Sequence, residues 1–202
     1  AYQGKTSKRN VLYFGLENGK KNMKVKHGAD STHCPNCNEK LKFEEVFFSH
    51  LGIWNCPNCK LKRPKTNIPE LTEYPLAGTY NKYNCLATAL FAKAEGISQE
   101  EIYKAFKKFT PAFGRQEKLN YKNKKIQIFL SKNPTSFNES LSTIKDLGGK
   151  NLLIVLNDKI PDGLDVSWIW DIDFESILEK DMHITVAGSR KYDMALRFKY
   201  AE

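Results

Sequence analysis

Cys34-Pro35-Asn36-Cys37 and Cys56-Pro57-Asn58-Cys59 are two matched CxxC knuckles with eighteen residues between them. That spacing is the pattern of a four-thiolate zinc site. Each knuckle turns tightly enough to aim two sulfurs at one ion. The segment between them carries Phe43, Val46, Phe47, Phe48, Ile53 and Trp54, enough for a small β-hairpin. Two disulfides are the competing reading. A chain without a signal peptide folds where thiols stay reduced, which argues against them. A redox dithiol needs one CxxC, not two matched ones. Cys34, Cys37, Cys56 and Cys59 are therefore expected to hold a structural zinc ion in a ribbon over residues 31–63. Four thiolates close the coordination sphere, so the ribbon does not by itself define a function.

Outward from the ribbon, the chain has 202 residues, enough for one moderate domain or two small ones. No apolar run approaches the ~20 residues of a membrane span. The start, Ala1-Tyr2-Gln3-Gly4-Lys5-Thr6, lacks the apolar stretch of a secretory signal. The chain therefore reads as cytoplasmic. Its abrupt start, with no initiator Met, reads as that of a fragment of a longer protein. The net charge is +9, gathered in patches at Lys20 to Lys26, Lys60 to Lys65, Lys104 to Lys108 and Lys122 to Lys125. Solvated faces are the plain reading of such patches. A phosphate-rich substrate or an anionic partner would use the same charge. The fifth cysteine, Cys85, lies in an apolar helical pattern and is expected to be a buried small side chain.

The element pattern changes midway. Asn10 to Gly15 reads as a strand. A Pro-bearing connector over 64–80 leads into a helix from about Asn81 to Ala94, stopped by Gly96. Ser98 caps a second helix, with Glu101 at the capping-box position and Ile102, Ala105, Phe106 and Phe109 as its core face. From Gly114 onward, Glu117 to Tyr121 and Lys125 to Leu130 read as a hairpin. Asn138 to Leu147 reads as a helix. Leu152 to Leu156 and His183 to Ala187 read as strands buried on both faces. A short helix from Asp173 to Leu178 and a last helix from Tyr192 to Lys199 complete the pattern. Alternating strands and helices predict an α/β fold with a largely parallel sheet.

Three polar segments are too specific to be packing. In Thr79-Tyr80-Asn81-Lys82-Tyr83-Asn84, two asparagines three apart lie at a helix start, where amides cap the helix or read a ligand edge. Arg115 and Lys132 lie near strand ends, where α/β folds place ligand contacts. Ser, Thr and Asn side chains around Lys132 suit phosphate or ribose oxygens. The third segment, Asn157 to Phe174, crowds five aspartates and two tryptophans into one loop. It follows a strand end, where α/β proteins build sites. Metal ligation, acid–base work and orientation of a histidine are all open to it. The four histidines of the chain, His27, His33, His50 and His183, offer no obvious internal partner. A histidine oriented by this loop would come from another subunit. Helix capping by Asp171 or Asp173 and an Asx-turn at Asp162-Gly163 are the plain alternative.

These segments together resemble the Mur ligases. Thr79 to Asn84 resembles the segment whose asparagines contact the adenine of ATP. Gly114-Arg115-Gln116-Glu117 is similar to the start of the Mur ligase C-terminal domain, and Ser131-Lys132-Asn133-Pro134 to its nucleotide-side lysine loop. The inserted ribbon, together with Asp162-Gly163-Leu164-Asp165-Val166-Ser167-Trp168-Ile169-Trp170-Asp171-Ile172-Asp173-Phe174, resembles the MurT family in particular, the ligase-like subunits of lipid II isoglutaminyl synthase. The resemblance implies a partial Mur ligase central domain over 1–112 with the zinc ribbon at 31–63. A Rossmann-like C-terminal domain over 113–202 would follow. It implies ATP-dependent amidation of the D-glutamate α-carboxylate of lipid II, with ammonia supplied by a GatD-like glutamine amidotransferase in a heterodimer. Asn81 and Asn84 would face adenine, and Arg115 and Lys132 the phosphates. An aspartate, Asp165 first and Asp171 second, would complete the partner's Cys-His pair. Structural zinc, with ATP and Mg2+ in the full-length protein, are the implied cofactors. Peripheral contact with a membrane surface would come through the lipid substrate.

The departures from the family bear on activity. The chain has no G-x-x-x-x-G-K-[ST] loop, since Gly4-Lys5-Thr6 lacks the upstream glycine. The stand-alone chain is therefore expected to be inactive. Two rivals belong to other classes. A zinc-ribbon nucleic-acid-binding protein would use the ribbon and the positive charge, but it leaves the acidic Trp-bearing loop unexplained and lacks a stacking platform. A Mur-type ligase adding an amino acid would need its own amino-acid pocket and no amidotransferase.

Overall fold

The computed structural model describes residues 4, 6–18, 31–159, 163–178 and 181–201. The chain divides into two compact units, Ala1–Thr110 and Pro111–Glu202. Among the described residues, no helix is long and apolar enough to cross a membrane.

In the first unit, β1 (Lys42–Phe48) and β2 (Leu51–Asn55) form an antiparallel hairpin between the two cysteine knuckles. The knuckles repeat one another. Asn38 N donates to Cys34 O at 2.8 Å, and Lys60 N donates to Cys56 O at 3.2 Å. The residue after the second cysteine of each knuckle takes left-handed backbone, Asn38 at φ 58 and Lys60 at φ 61. That conformation closes each turn and brings two sulfurs to the same side. The hairpin buries Phe47 on a core built from Ile68, Leu71, Leu86, Ala89, Leu90 and Ile102.

Helices α1 (Thr79–Ala94) and α2 (Gln99–Lys108) supply most of that core. Gly96, at φ +83, ends α1 as expected. Ser98 and Glu101 form the full capping box of α2. Cys85 is buried, as expected. The face of α2 is narrower than the sequence suggests. Ile102 is buried with Tyr103 and Phe106 against the core, while Ala105 and Phe109 are exposed. Phe109 lies past the last helical turn, so the helical periodicity no longer carries it to the core side.

The expected strand at Asn10–Gly15 does not form. Tyr13 instead exchanges two bonds with Asn67. Tyr13 N donates to Asn67 Oδ1 and Asn67 N donates to Tyr13 O, both at 2.7 Å. An asparagine side chain in the connector thus satisfies this backbone, and no ladder is needed.

The second unit opens with the antiparallel hairpin β3 (Arg115–Tyr121) and β4 (Lys124–Phe129). Its turn residues Lys122 and Asn123 both have positive φ, 44 and 62, the geometry of a two-residue type I′ turn. Helix α3 runs Pro134–Asp146, four residues earlier than its apolar pattern suggests. Asn133 caps it with Ser136, and Pro134 occupies the first turn. Strands β5 (Asn151–Val155) and β6 (His183–Ala187) pair in parallel.

Two expectations need correction here. Strand β5 alternates, with Leu152 and Ile154 buried but Leu153 66% and Val155 56% exposed. Strand β6 is only partly buried as well. A two-stranded sheet has a core on one side only, so a continuous apolar run does not guarantee two covered faces. Of the three described ladders, one is parallel and two are antiparallel, so the sheet content is not largely parallel.

A 3-10 helix (Ser167–Asp171), the short α4 (Phe174–Ile177) and α5 (Lys191–Lys199) pack on the covered side of β5 and β6. Phe174, Ile169, Ile172 and Met194 are the most deeply buried residues there. Phe174 meets Phe198 at 4.4 Å and Phe137 at 5.7 Å between ring centroids.

At the end of β6, Gly188 has φ +100, and a Cβ there would lie 2.1 Å from the Leu156 carbonyl oxygen. Gly188→Ala should destabilise this unit by about 2–4 kcal/mol, through backbone strain and overlap together. A urea denaturation midpoint unchanged by the substitution would refute the clash.

Candidate functional site

The cysteine cluster is assembled by the two knuckles and the hairpin between them. The sulfurs of Cys34, Cys37, Cys56 and Cys59 all lie within 4.8 Å of one another. The cross-knuckle pairs Cys34–Cys59 and Cys37–Cys56 are each 3.5 Å apart. Tetrahedral thiolates about 2.3 Å from an ion stand about 3.8 Å apart, so the donor set fits a metal ion. Burial pushes the Cys56 thiol up to about 11, while a bond from the Asn36 side chain leads in bringing Cys59 down to about 6. Without a cation, the buried thiol resists ionisation. A divalent ion among the four sulfurs would offset that cost.

The acidic loop sits at the carboxyl ends of parallel β5 and β6. The structure sorts its aspartates. Asp173 is a clamp: its N–H donates to Asn138 Oδ1 at 2.9 Å, and Asn138 Nδ2 donates back to Asp173 Oδ2 at 3.1 Å. Asp158 accepts from Ser189 Oγ at 2.8 Å and from Arg190 Nη1 at 3.3 Å. Asp162 lies outside the described residues. Asp171 is exposed at the end of the 3-10 helix. Asp165 is exposed and accepts from Ser167 N at 2.8 Å, a turn that starts the 3-10 helix. Its bonds with Ser167, with a smaller contribution from the charge of Arg190, hold the Asp165 carboxyl below the usual carboxylate range.

The two indoles divide the same way. Trp168 packs against Phe137 at 6.2 Å, whereas Trp170 is 48% exposed. Trp170 is held in place from behind. Its ring lies 5.8 Å from Tyr200 and 5.7 Å from the Arg197 guanidinium. Arg197 is buried and is itself bonded to Ile172 O at 2.6 Å and to Glu175. A cavity of about 260 Å³ opens between Leu164, Asp165, Trp170, Arg190 and Asp193. Among the described residues, no histidine lines it.

The remaining expected contacts are placed less distinctively. Asn81 is buried, and its side-chain amide donates to Ala77 O at 2.6 Å, while Asn84 is exposed. The two therefore differ in what they offer, and Asn81 serves the start of its own helix. Arg115 pairs with Phe129 across the base of the β3–β4 hairpin, and Lys132 follows three residues later. Both side chains are exposed and share that end of the hairpin. The Lys132 backbone N–H donates to Ser136 Oγ at 3.1 Å, so the lysine loop doubles as the cap of α3.

Sequence reading missed Ser189, Arg190 and Asp193. Their signal was present: Gly188-Ser189-Arg190 follows a strand and opens a helix, the place where parallel α/β folds build sites.

A mixed α/β chain with a four-cysteine cluster and a polar loop at the strand ends is similar to Mur-type ligases of known structure. Its fold is similar to that of a pseudomurein peptide ligase type C from Methanothermus fervidus, with a TM-score of 0.65 and 28% identity. The likeness covers 93% of this chain and 43% of that one. More particularly, residues 130–202 match the family described as MurT ligase C-terminal. The chain is 33% identical over 94% of its length to the lipid II isoglutaminyl synthase (glutamine-hydrolyzing) subunit MurT of Streptococcus pneumoniae. It is 29% identical over 95% of its length to the subunit of the same name from Staphylococcus aureus (strain COL). The chain spans about half of these relatives, 47% and 48% of their lengths. The resemblance to MurT read from the Asp162–Phe174 segment is thus borne out.

Proposed function

We propose that this chain works within the ligase subunit of a lipid II isoglutaminyl synthase. The full subunit would use ATP to phosphorylate the D-glutamate α-carboxylate of lipid II, releasing ADP. Ammonia would then attack the acyl phosphate carbonyl and expel phosphate, leaving D-isoglutamine. A GatD-like glutamine amidotransferase, bound as the other half of a heterodimer, would supply the ammonia in the cytoplasm.

The observation that carries this reading is the Asp165–Trp170 face. It pairs an exposed carboxylate with an exposed indole at the carboxyl ends of β5 and β6, beside a cavity that, among the described residues, no histidine lines. An aspartate there can orient the imidazole of a Cys-His pair carried by another subunit. The similarity to glutamine-hydrolyzing MurT subunits supports the same assignment. Asp165 takes this role ahead of Asp171, because the cavity opens beside Asp165 and does not include Asp171.

The first unit fits the later part of a Mur central domain and the second its C-terminal domain. Cys34, Cys37, Cys56 and Cys59 would hold zinc in a structural role. Arg115 and Lys132 would offset phosphate charge. Asn84 would face adenine, with Asn81 shaping the start of the helix beneath it. ATP and Mg2+ would bind in the full-length subunit.

The test is reconstitution. The full-length subunit, coexpressed with a small glutamine amidotransferase, should copurify with it. With ATP, glutamine and lipid II, the pair should convert the stem-peptide acid to the amide, read by mass spectrometry. Addition of an amino acid instead of ammonia, or no association with the amidotransferase, would reject the proposal.

A further inference from the structure

We propose that Arg190 is a positioning residue for Asp165, an inference that rests on Asp165 serving a partner histidine. Arg190 and Asp193 line the same cavity as Asp165. The Arg190 guanidinium grips Asp193 as a fork, Nε to Oδ2 and Nη2 to Oδ1, both at 2.8 Å. Its third nitrogen, Nη1, reaches Asp158 Oδ2 at 3.3 Å. Ser189 Oγ donates to the other oxygen of Asp158 at 2.8 Å. The Arg190 backbone N–H donates to Leu156 O at 3.1 Å. One side chain therefore ties the loop after β5 to the start of α5. Both ends of that tie are anchored at the carboxyl edge of the parallel pair. A planar fork fixes geometry as well as charge, which a single ammonium does not.

Charge makes the arrangement selective. Asp158 and Asp193 pair with one cation, Arg190, whose charge also reaches Asp165 across the cavity that Asp165, Arg190 and Asp193 share. Arg190 satisfies Asp158 and Asp193. Asp165 bonds, among the described residues, only to Ser167 in its own turn. It is thus the carboxylate of this cavity with lone pairs left for an incoming N–H donor. Removal of the Arg190 side chain would leave Asp158 and Asp193 without their shared cation and would take the guanidinium tie between the loop and the start of α5 away, the bonds of Ser189 remaining. Repulsion among the three carboxylates would then move the wall that Asp165 depends on. Arg190 acts through Asp165 and need not touch the substrate itself.

The experiment uses the full-length subunit in complex with its amidotransferase, assayed with glutamine or with ammonium chloride as nitrogen donor. Arg190→Ala should lower the ratio of glutamine-driven to ammonia-driven amidation about tenfold or more, the scale of a small misplacement. Arg190→Lys restores charge without the fork and should recover little of it. In an Asp165→Asn background, Arg190→Ala should add no further loss, because both changes break one pathway. Equal loss with both donors, an unchanged ratio, or a double variant worse than Asp165→Asn alone would overturn the inference. If Arg190→Ala does not fold, Asp193→Asn loosens the same fork and carries the same test. Normal glutamine-driven activity in Asp165→Asn sinks the reading of Asp165 and this inference with it. A defective Asp165→Asn beside a normal Arg190→Ala sinks only the inference.

Discussion

Asp165→Asn in the full-length complex should abolish glutamine-driven amidation while ATP hydrolysis by the ligase subunit persists. The substitution is nearly isosteric. The side-chain oxygen that accepts from Ser167 N at 2.8 Å survives as an amide oxygen, so the turn into the 3-10 helix is kept. The negative charge is what disappears. An amide in this place can no longer hold an imidazole in the tautomer that removes a proton from a thiol, nor stabilise the imidazolium. The loss expected for such a change is about 10³–10⁴-fold in the glutaminase step. Ammonia supplied from solution bypasses that step, so ammonia-driven amidation should persist. Asp171→Asn makes the comparison informative. Asp171 is exposed but is not a wall of the cavity. Normal amidation in Asp165→Asn together with loss in Asp171→Asn would transfer the role to Asp171.

Metal removal should have the largest effect on stability. The ribbon core behind Cys34 and Cys56 is small, comprising Leu41 with Phe43, Trp54 and Leu61 around the sulfurs. Structural zinc in zinc-finger peptides contributes about 10–16 kcal/mol of apparent binding free energy. That is comparable to the whole stability of an ordinary domain. Cys56→Ser, or a strong chelator, should therefore unfold the ribbon. Trp54 fluorescence should shift toward that of a solvated indole, and metal analysis should fall from one zinc per chain. Cys85→Ser is the internal contrast. Cys85 is buried in the helical core away from the cluster, so its loss should leave the metal stoichiometry at one. Full metal content in Cys56→Ser would contradict the four-thiolate site.

Short-range chemistry was legible in the sequence wherever it decides structure locally. The Ser98–Glu101 capping box, the stop at Gly96 and the turn at Lys122-Asn123 each follow from backbone geometry that a few residues control. Helix α3 starts four residues ahead of its apolar pattern, because polar Asn133, Pro134 and Ser136 form its first turn and carry no helical periodicity. Asn133 and Pro134 are nonetheless a helix-start signature, within a segment that also reads as a ligand loop. The strand expected at Asn10–Gly15 failed for the opposite reason: its fate depended on Asn67, more than fifty residues away in sequence. Similarly, the run Leu152 to Leu156 announces a strand but not how many of its faces are covered.

The four-cysteine cluster and the resemblance to MurT were legible in the sequence alone, because metal-ligand spacing and the Asp162–Phe174 string are one-dimensional patterns. Only the tertiary structure could divide the labour among the chemically identical carboxylates of the acidic loop that it describes. Asp173 became a clamp on Asn138, Asp158 a partner of Arg190, and Asp165 a carboxylate beside an open cavity. Which role each took depends on cations and amides that arrive from α3 and α5, and electrostatic environment is a property of distance in space rather than of separation along the chain.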